Sequence, residues 1–267
     1  ACVGEINYMG QNFIARDLTN FRQALDTHQV EKAFVPSITP GSVAFCVVDR
    51  HYGNYEDYIM ALAIALKEEY EAIVEAGFML PLDATDLPIC HPNHGNFWAS
   101  KVVEEMGYTK FIEMNLEAIN VAVENIPGEK LRLHLCWANY EGPHHFDAPL
   151  SEVLNPVLKN TTAKTIAFEA ANPRHEHEWT YFRNSKIADD IIIMPGVIDT
   201  TTNFVEHPEL VAQRIERYAA IVGRERVIAG TDCGFGTFAG FGEVAPAAVW
   251  LKLASLSEGA AIASSRL

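Results

Sequence analysis

Short apolar runs rich in β-branched residues recur along the chain: Lys32 to Pro36, Phe78 to Asp83, Leu131 to Trp137, Lys164 to Glu169, Asp190 to Met194 and Arg226 to Thr231. Between them, Tyr55 to Ala76, Lys110 to Asn125, Pro208 to Val222 and Ala245 to Ala263 carry apolar residues at helical spacing. Strands that alternate with helices predict a parallel sheet, and runs apolar throughout predict that both of its faces are covered. A (β/α)8 barrel and an open doubly wound sheet both meet that description. The barrel is favoured for two reasons. No G-x-G-x-x-G follows an early strand, and the polar residues Asp83, His134 with Cys136, Glu169, Asp199 and Cys233 stand at the C-terminal ends of predicted strands, where a barrel gathers its active site. With no internal repeat, low-complexity tract or long linker, residues 1–267 read as one domain.

Charge and composition then remove several function classes. The 267 residues carry 35 acidic against 20 basic side chains, a net charge of −15, which argues against a nucleic-acid partner because phosphate binding needs clustered Lys and Arg. A hydrophobic fraction of 49% excludes a disordered chain, and no apolar stretch of about 18 residues predicts a membrane span. The opening ACVGEINYMG has neither the basic nor the apolar region of a signal peptide. The five cysteines, at 2, 46, 90, 136 and 233, are odd in number and widely spaced. They make no disulfide framework and predict a cytoplasmic protein with metal or thiol chemistry.

His134-Leu135-Cys136 lies in a strand pattern whose period of two puts imidazole and thiol on one face. Taken alone, such a pair is more often a buried His beside a buried Cys than a metal platform. Cys233 changes that reading, because it follows the last strand in the Gly-rich turn Gly230-Thr231-Asp232-Cys233-Gly234 and so faces the barrel mouth. Glu169 ends the strand KTIAFE, where an unemployed carboxylate would be costly. One imidazole, two thiolates and one carboxylate form the ligand set of a tetrahedral Zn2+ site. Its formal charge of about −1 makes a poor Lewis acid for hydrolysis. It suits holding a substrate thiol, whose free pKa is about 8.5, as a thiolate near neutral pH. The implied chemistry is alkyl transfer to sulfur.

Those residues resemble the zinc motif of the cobalamin-independent methionine synthase family, in its C-terminal catalytic barrel, which also includes the epoxyalkane:coenzyme M transferases. The likeness runs over nearly the whole chain. Asp83 in Leu-Asp-Ala-Thr-Asp-Leu resembles the family's strand-end aspartate that receives the substrate amino group, Gly196-Val-Ile-Asp199 its G-V-x-D segment, and Val35-Pro36-Ser37 its P-S strand end. The resemblance implies a (β/α)8 TIM-type barrel, one catalytic Zn2+, a small-molecule thiol and a methyl or alkyl donor, with Asp83 and Asp199 as catalytic residues. Three departures qualify it. Thr201 stands where the methionine synthases have a histidine, which argues against homocysteine methylation. Nothing corresponds to their N-terminal folate-associated barrel. Finally, Val3-Gly4-Glu5 resembles the end of the family's second strand, so the first βα unit is expected to be lacking in this chain: upstream residues or another chain would complete the barrel, or the barrel is open.

Other polar clusters are weaker. In Asn172-Pro-Arg-His-Glu-His-Glu178, the side chains of Arg174, His175 and His177 could clamp an anionic substrate tail, or form a polar loop. His144-His145, and His91 with His94, read mainly as loop residues, and Phe97-Trp98 as packing beside a pocket. Glu206-His207-Pro208-Glu209 reads as a helix start without chemistry, and the glycines of Gly234 to Gly242 as room for Cys233 to approach a metal. The alternatives to a zinc-dependent transferase are a metal-assisted hydrolase or lyase using His175 or His177, and a non-catalytic thiol-binding barrel. A homo-oligomer fits any of the three.

Overall fold

A computed structural model describes residues 1–28, 30–94, 100–236, 240 and 244–267. In chain order its elements are α1 (Gln11–Leu25), β1 (Ser37–Ile38), α2 (Pro40–Cys46), α3 (Tyr55–Glu75), β2 (Leu80–Ala84), α4 (Asp86–Ile89), α5 (Ser100–Met106), α6 (Tyr108–Ala122), β3 (Leu131–Leu135), α7 (Leu150–Asn160), β4 (Thr165–Phe168), α8 (Trp179–Phe182), β5 (Ile192–Ile198), α9 (Pro208–Val222), β6 (Gly230–Thr231) and α10 (Pro246–Arg266). The strands form a six-stranded sheet in the order β1-β2-β3-β4-β5-β6, and β1 with β2, β4 with β5 and β5 with β6 pair parallel. This is the mixed α/β architecture with a sequentially ordered parallel sheet that the alternating pattern predicts. Among the described residues no helix is long and apolar enough to cross a membrane. Two compact units divide the chain: Ala1–His134 with Glu152–Lys164, and Leu135–Ser151 with Thr165–Leu267.

In the first unit, α3 starts where the Asn54 side chain accepts the Asp57 N–H, with Glu56 and Asp57 favourably placed in its first turn. It buries Tyr58, Ile59, Leu62, Ala63, Tyr70 and Ile73. β2 is buried except at Asp83. The backbone oxygen of Asp83 accepts from Thr39 N–H and Ser42 Oγ, so the turn into α2 fixes this strand end. Asp86 lies fully buried behind it, accepting from Thr39 Oγ1 and Ser42 Oγ, each at 2.8 Å. Burial lifts its pKa to about 6. A Cβ on Gly41 would stand 2.2 Å from Asp86 Oδ2, which explains a glycine inside α2. Near the N-terminus Cys2 makes an isolated parallel bridge with Asp49.

In the second unit every residue of β4 is buried. α9 and α10 cover β5 through Val197, Ile198, Val211, Ala212, Ile215 and Ala263. Helix α9 begins at His207, whose ring accepts the Glu209 N–H, with Pro208 at its first position. β5 runs on to Ile198, past the expected stop at Met194. Pro195 continues the strand, paired beside Phe168. Gly196 is required there, since a Cβ would stand 2.0 Å from Asp232 Oδ1.

Candidate functional site

The alternation of β3 works as the pattern predicts. His134 and Cys136 are two residues apart on one strand and its extension, and Leu135 between them is fully buried. His134 Nε2 is 4.0 Å from Asp83 Oδ1. Cys136 is buried, and its Sγ lies 3.6 Å from Sγ of Cys233, which sits just beyond β6. His134, Cys136 and Cys233 offer ligand atoms that all lie within 4.8 Å of one another. Neither cysteine is in a disulfide. Their separation is far beyond the S–S bond of about 2.05 Å. It is close to the roughly 3.8 Å that two thiolates subtend on one tetrahedral zinc at bond lengths of about 2.3 Å. The donor set and spacing thus fit a zinc ion.

Glu169 is not a member of that group of three. It is fully buried one residue past β4, where Oε1 accepts the Trp137 N–H at 2.8 Å and Oε2 accepts from Asn172 Nδ2 at 2.9 Å. Asn172 Nδ2 also reaches Asp232 Oδ2 at 3.1 Å, so one amide bridges two buried carboxyls. Asp232 further accepts the backbone N–H groups of Ala170, Ala171 and Asn172. Burial raises both carboxyls above their ordinary range, and Asp232 pushes Glu169 further.

The segment after β3 is strained. Ala138 and Asn139 have φ of +79° and +44°, a region that costs a residue with a Cβ about 1–2 kcal/mol. Asn139 compensates by bonding in two directions: Nδ2 donates to the Gly234 carbonyl at 2.7 Å, and Oδ1 accepts from Thr200 Oγ1 at 2.5 Å. No sequence signal marked it, because its partners lie 61 and 95 residues away.

Asp199 ends β5. Oδ1 accepts from the N–H and hydroxyl of Thr201, and Oδ2 from those of Thr202. Burial opposes ionisation, but these bonds and Lys252 hold its pKa below the ordinary value. Its backbone is clamped as well. The fully buried Lys252 of α10 donates to its carbonyl at 3.0 Å and to Glu206 Oε2 at 2.9 Å, while Glu206 Oε1 accepts its N–H. The Glu206 segment is therefore more than a helix start.

The segment from Asn172 to Glu178 divides in function. His175 is buried, with Nε2 3.1 Å from Asp147 Oδ2, Nδ1 2.8 Å from Glu178 Oε2, and its ring 4.6 Å from that of Trp137. Burial works against its charge, yet the two carboxylates raise its pKa to about 9, making it a structural imidazolium. His144 shares the same carboxylate oxygen at 2.7 Å. Arg174 and His177 are exposed, and Arg174 Nη2 donates to the His145 carbonyl. His91 is buried against Glu152, and His94 lies in a short turn. Phe97 and Trp98 lie outside the described residues, as do residues 237–239 and 241–242 of the Gly234–Gly242 segment.

The elements and donors define a class: an α/β chain with a sequentially ordered parallel sheet carrying a histidine–cysteine group at strand ends. The fold is that of the cobalamin-independent methionine synthases, with 95% of this chain matching 67% of a B12-independent methionine synthase from Shewanella sp. W3-18-1, solved with selenomethionine, at a TM-score of 0.70 and 18% identity. In sequence the chain is similar to the 2-hydroxypropyl-CoM lyase of Xanthobacter autotrophicus, at 23% identity over 211 residues covering 70% of this chain and 51% of that protein. It is similar as well to the methionine synthase of Thermococcus kodakarensis, at 25% over 217 residues, 81% and 55% respectively. The chain spans about half the length of these curated relatives, and no family model matches it. The resemblance drawn from the motifs thus stands: the relatives are methionine synthases of the cobalamin-independent type and a coenzyme M lyase, all named as enzymes.

Proposed function

We propose that the protein is a zinc-dependent transferase moving a methyl or larger alkyl group onto the sulfur of a small-molecule thiol. The observation that carries the reading is the approach of Cys136 Sγ and Cys233 Sγ to 3.6 Å, with a His134 nitrogen in the same group. His134, Cys136 and Cys233 would hold the ion, with Glu169 as a fourth and exchangeable ligand. A bound Zn2+ would supply the positive charge that keeps a substrate thiol ionised near neutral pH. The bonds from Trp137 and Asn172 give the Glu169 carboxylate a resting place off the metal, which favours exchange of carboxylate for thiolate. Asp83 and Asp199, at two strand ends, would orient the substrate. Arg174 and His177, exposed on one loop, would meet an anionic tail, while His175, saturated by carboxylates, holds that loop. Because Thr201 is engaged with Asp199, a donor other than a folate is favoured. A reducing, cytoplasmic setting suits two cysteines held side by side without a disulfide.

Protein purified without added metal should contain close to one zinc per chain, and Cys136→Ser or Cys233→Ser should lose most of it. X-ray absorption at the zinc edge should count two sulfur neighbours at rest and three with a saturating, turnover-competent thiol. Full zinc retention in both variants would remove the metal assignment. An unchanged sulfur count with a competent thiol would favour a metal-assisted hydrolase or lyase instead.

A further inference from the structure

The metal reading leaves open what holds two cysteines from chain segments 97 residues apart at ligand spacing. Neither strand does so alone: Cys136 lies one residue beyond β3 and Cys233 two beyond β6, both in irregular backbone. We infer that Asn139 is the positioning residue that sets the Cys136–Cys233 separation, by tying the Cys136 segment to the carbonyl next to Cys233 and anchoring itself on Thr200; this rests on the metal reading above.

Three observations support it. The Asn139 amide donates to the carbonyl of Gly234, the residue that follows Cys233, so the bond acts one peptide away from the second thiol. Thr200, 2% exposed and next to Asp199, whose N–H and carbonyl are bonded by Glu206 and Lys252, donates to Asn139 Oδ1, so the amide is anchored on a buried, hydrogen-bonded segment. Lastly, the backbone enters the left-handed region at both Ala138 and Asn139, a conformation that persists only where surrounding contacts enforce it. Asn is among the side chains that tolerate this region best and can also use both ends of an amide. An aspartate would present a second acceptor to the Gly234 carbonyl, and a serine offers a single atom in place of the fork.

Such indirect supports of a metal ligand typically set affinity by about 10- to 100-fold. The test measures Zn2+ affinity by competition with a chromophoric chelator. The cobalt-substituted protein is read in parallel through the thiolate-to-metal charge-transfer and d–d absorption bands, which report sulfur coordination and geometry independently of turnover. Asn139→Gly removes the amide while relieving the backbone, and Thr200→Val removes the anchor at nearly constant volume, so both variants keep the fold. Asn139→Gly should weaken zinc by about 10- to 100-fold and alter the cobalt bands, with Thr200→Val shifting both in the same direction by less. Wild-type affinity and unchanged bands in both variants would overturn the inference while leaving the metal reading intact. Failure of the wild-type protein to bind zinc would overturn the metal reading itself, and this inference with it.

Discussion

Replacing His175 by Gln isolates one buried charge whose contribution to stability depends on pH with a definite sign. The imidazole lies between Asp147 and Glu178, with a nitrogen on each. Burial alone would lower its pKa from 6.5, but the two carboxylates outweigh burial and lift it to about 9. Because the folded value lies above the unfolded one, the stabilisation is fully present below about pH 6.5 and is lost as pH rises through about 9. At about 1.36 kcal/mol per tenfold change in proton affinity, the full effect is about 3 kcal/mol, of which roughly half remains near pH 8. On the acid side Asp147 has the opposite sign. Burial would raise its pKa, but bonds to His144 and His175 hold it below 3.8, so its share is present above that value and is lost as pH falls through the depressed one. The cluster is therefore complete from about pH 4 to about pH 6.5 and weakens steadily up to about pH 9. Urea unfolding of wild type and His175→Gln, at steps from about pH 6 to about pH 10, measures the difference directly. Groups away from the cluster contribute alike to both proteins and cancel, whereas His144, on the same Asp147 oxygen, titrates with it. The stability gap should shrink by about 3 kcal/mol across that range. A gap that stays constant would show that His175 is neutral when folded and that the ion cluster is misread.

Three further outcomes follow from single contacts. Lys252→Met leaves Glu206 buried without its cation, which should cost about 3–5 kcal/mol and lower the thermal midpoint, whereas a loss below about 1 kcal/mol would mean that the pair is not desolvated. Gly196→Ala drives a methyl into Asp232, so thermal unfolding should show a loss of about 1–3 kcal/mol, and a neutral result would contradict the close packing of β5 on that carboxyl. With Thr201 absorbed by Asp199, methionine formation from homocysteine and methyltetrahydrofolate should be slow by about 10²- to 10⁴-fold relative to an enzyme with a proton-handling group there; rapid turnover in a direct assay would refute that.

Much of the architecture was legible in the chain because its signals are local. A period of two put His134 and Cys136 on one face, continuous apolar runs marked strands covered on both sides, and strand-end polar residues pointed to where chemistry gathers. Local signals also misled. The strand expected to stop at Met194 continues through Pro195, beside Phe168, and Gly196, where only a glycine fits against Asp232. Helix α7 went unmarked, with Pro156 inside it. What no window of sequence could supply was the pairing of distant polar groups. Tertiary structure decided that Glu169 rests on Trp137 and Asn172, that Lys252 reaches Glu206, that His175 is clamped by two carboxylates, and that Asn139 joins Thr200 to Gly234. Composition and periodicity fix which residues are buried, but a buried polar group must also be satisfied, and its partner is whichever group the folded chain brings within about 3 Å.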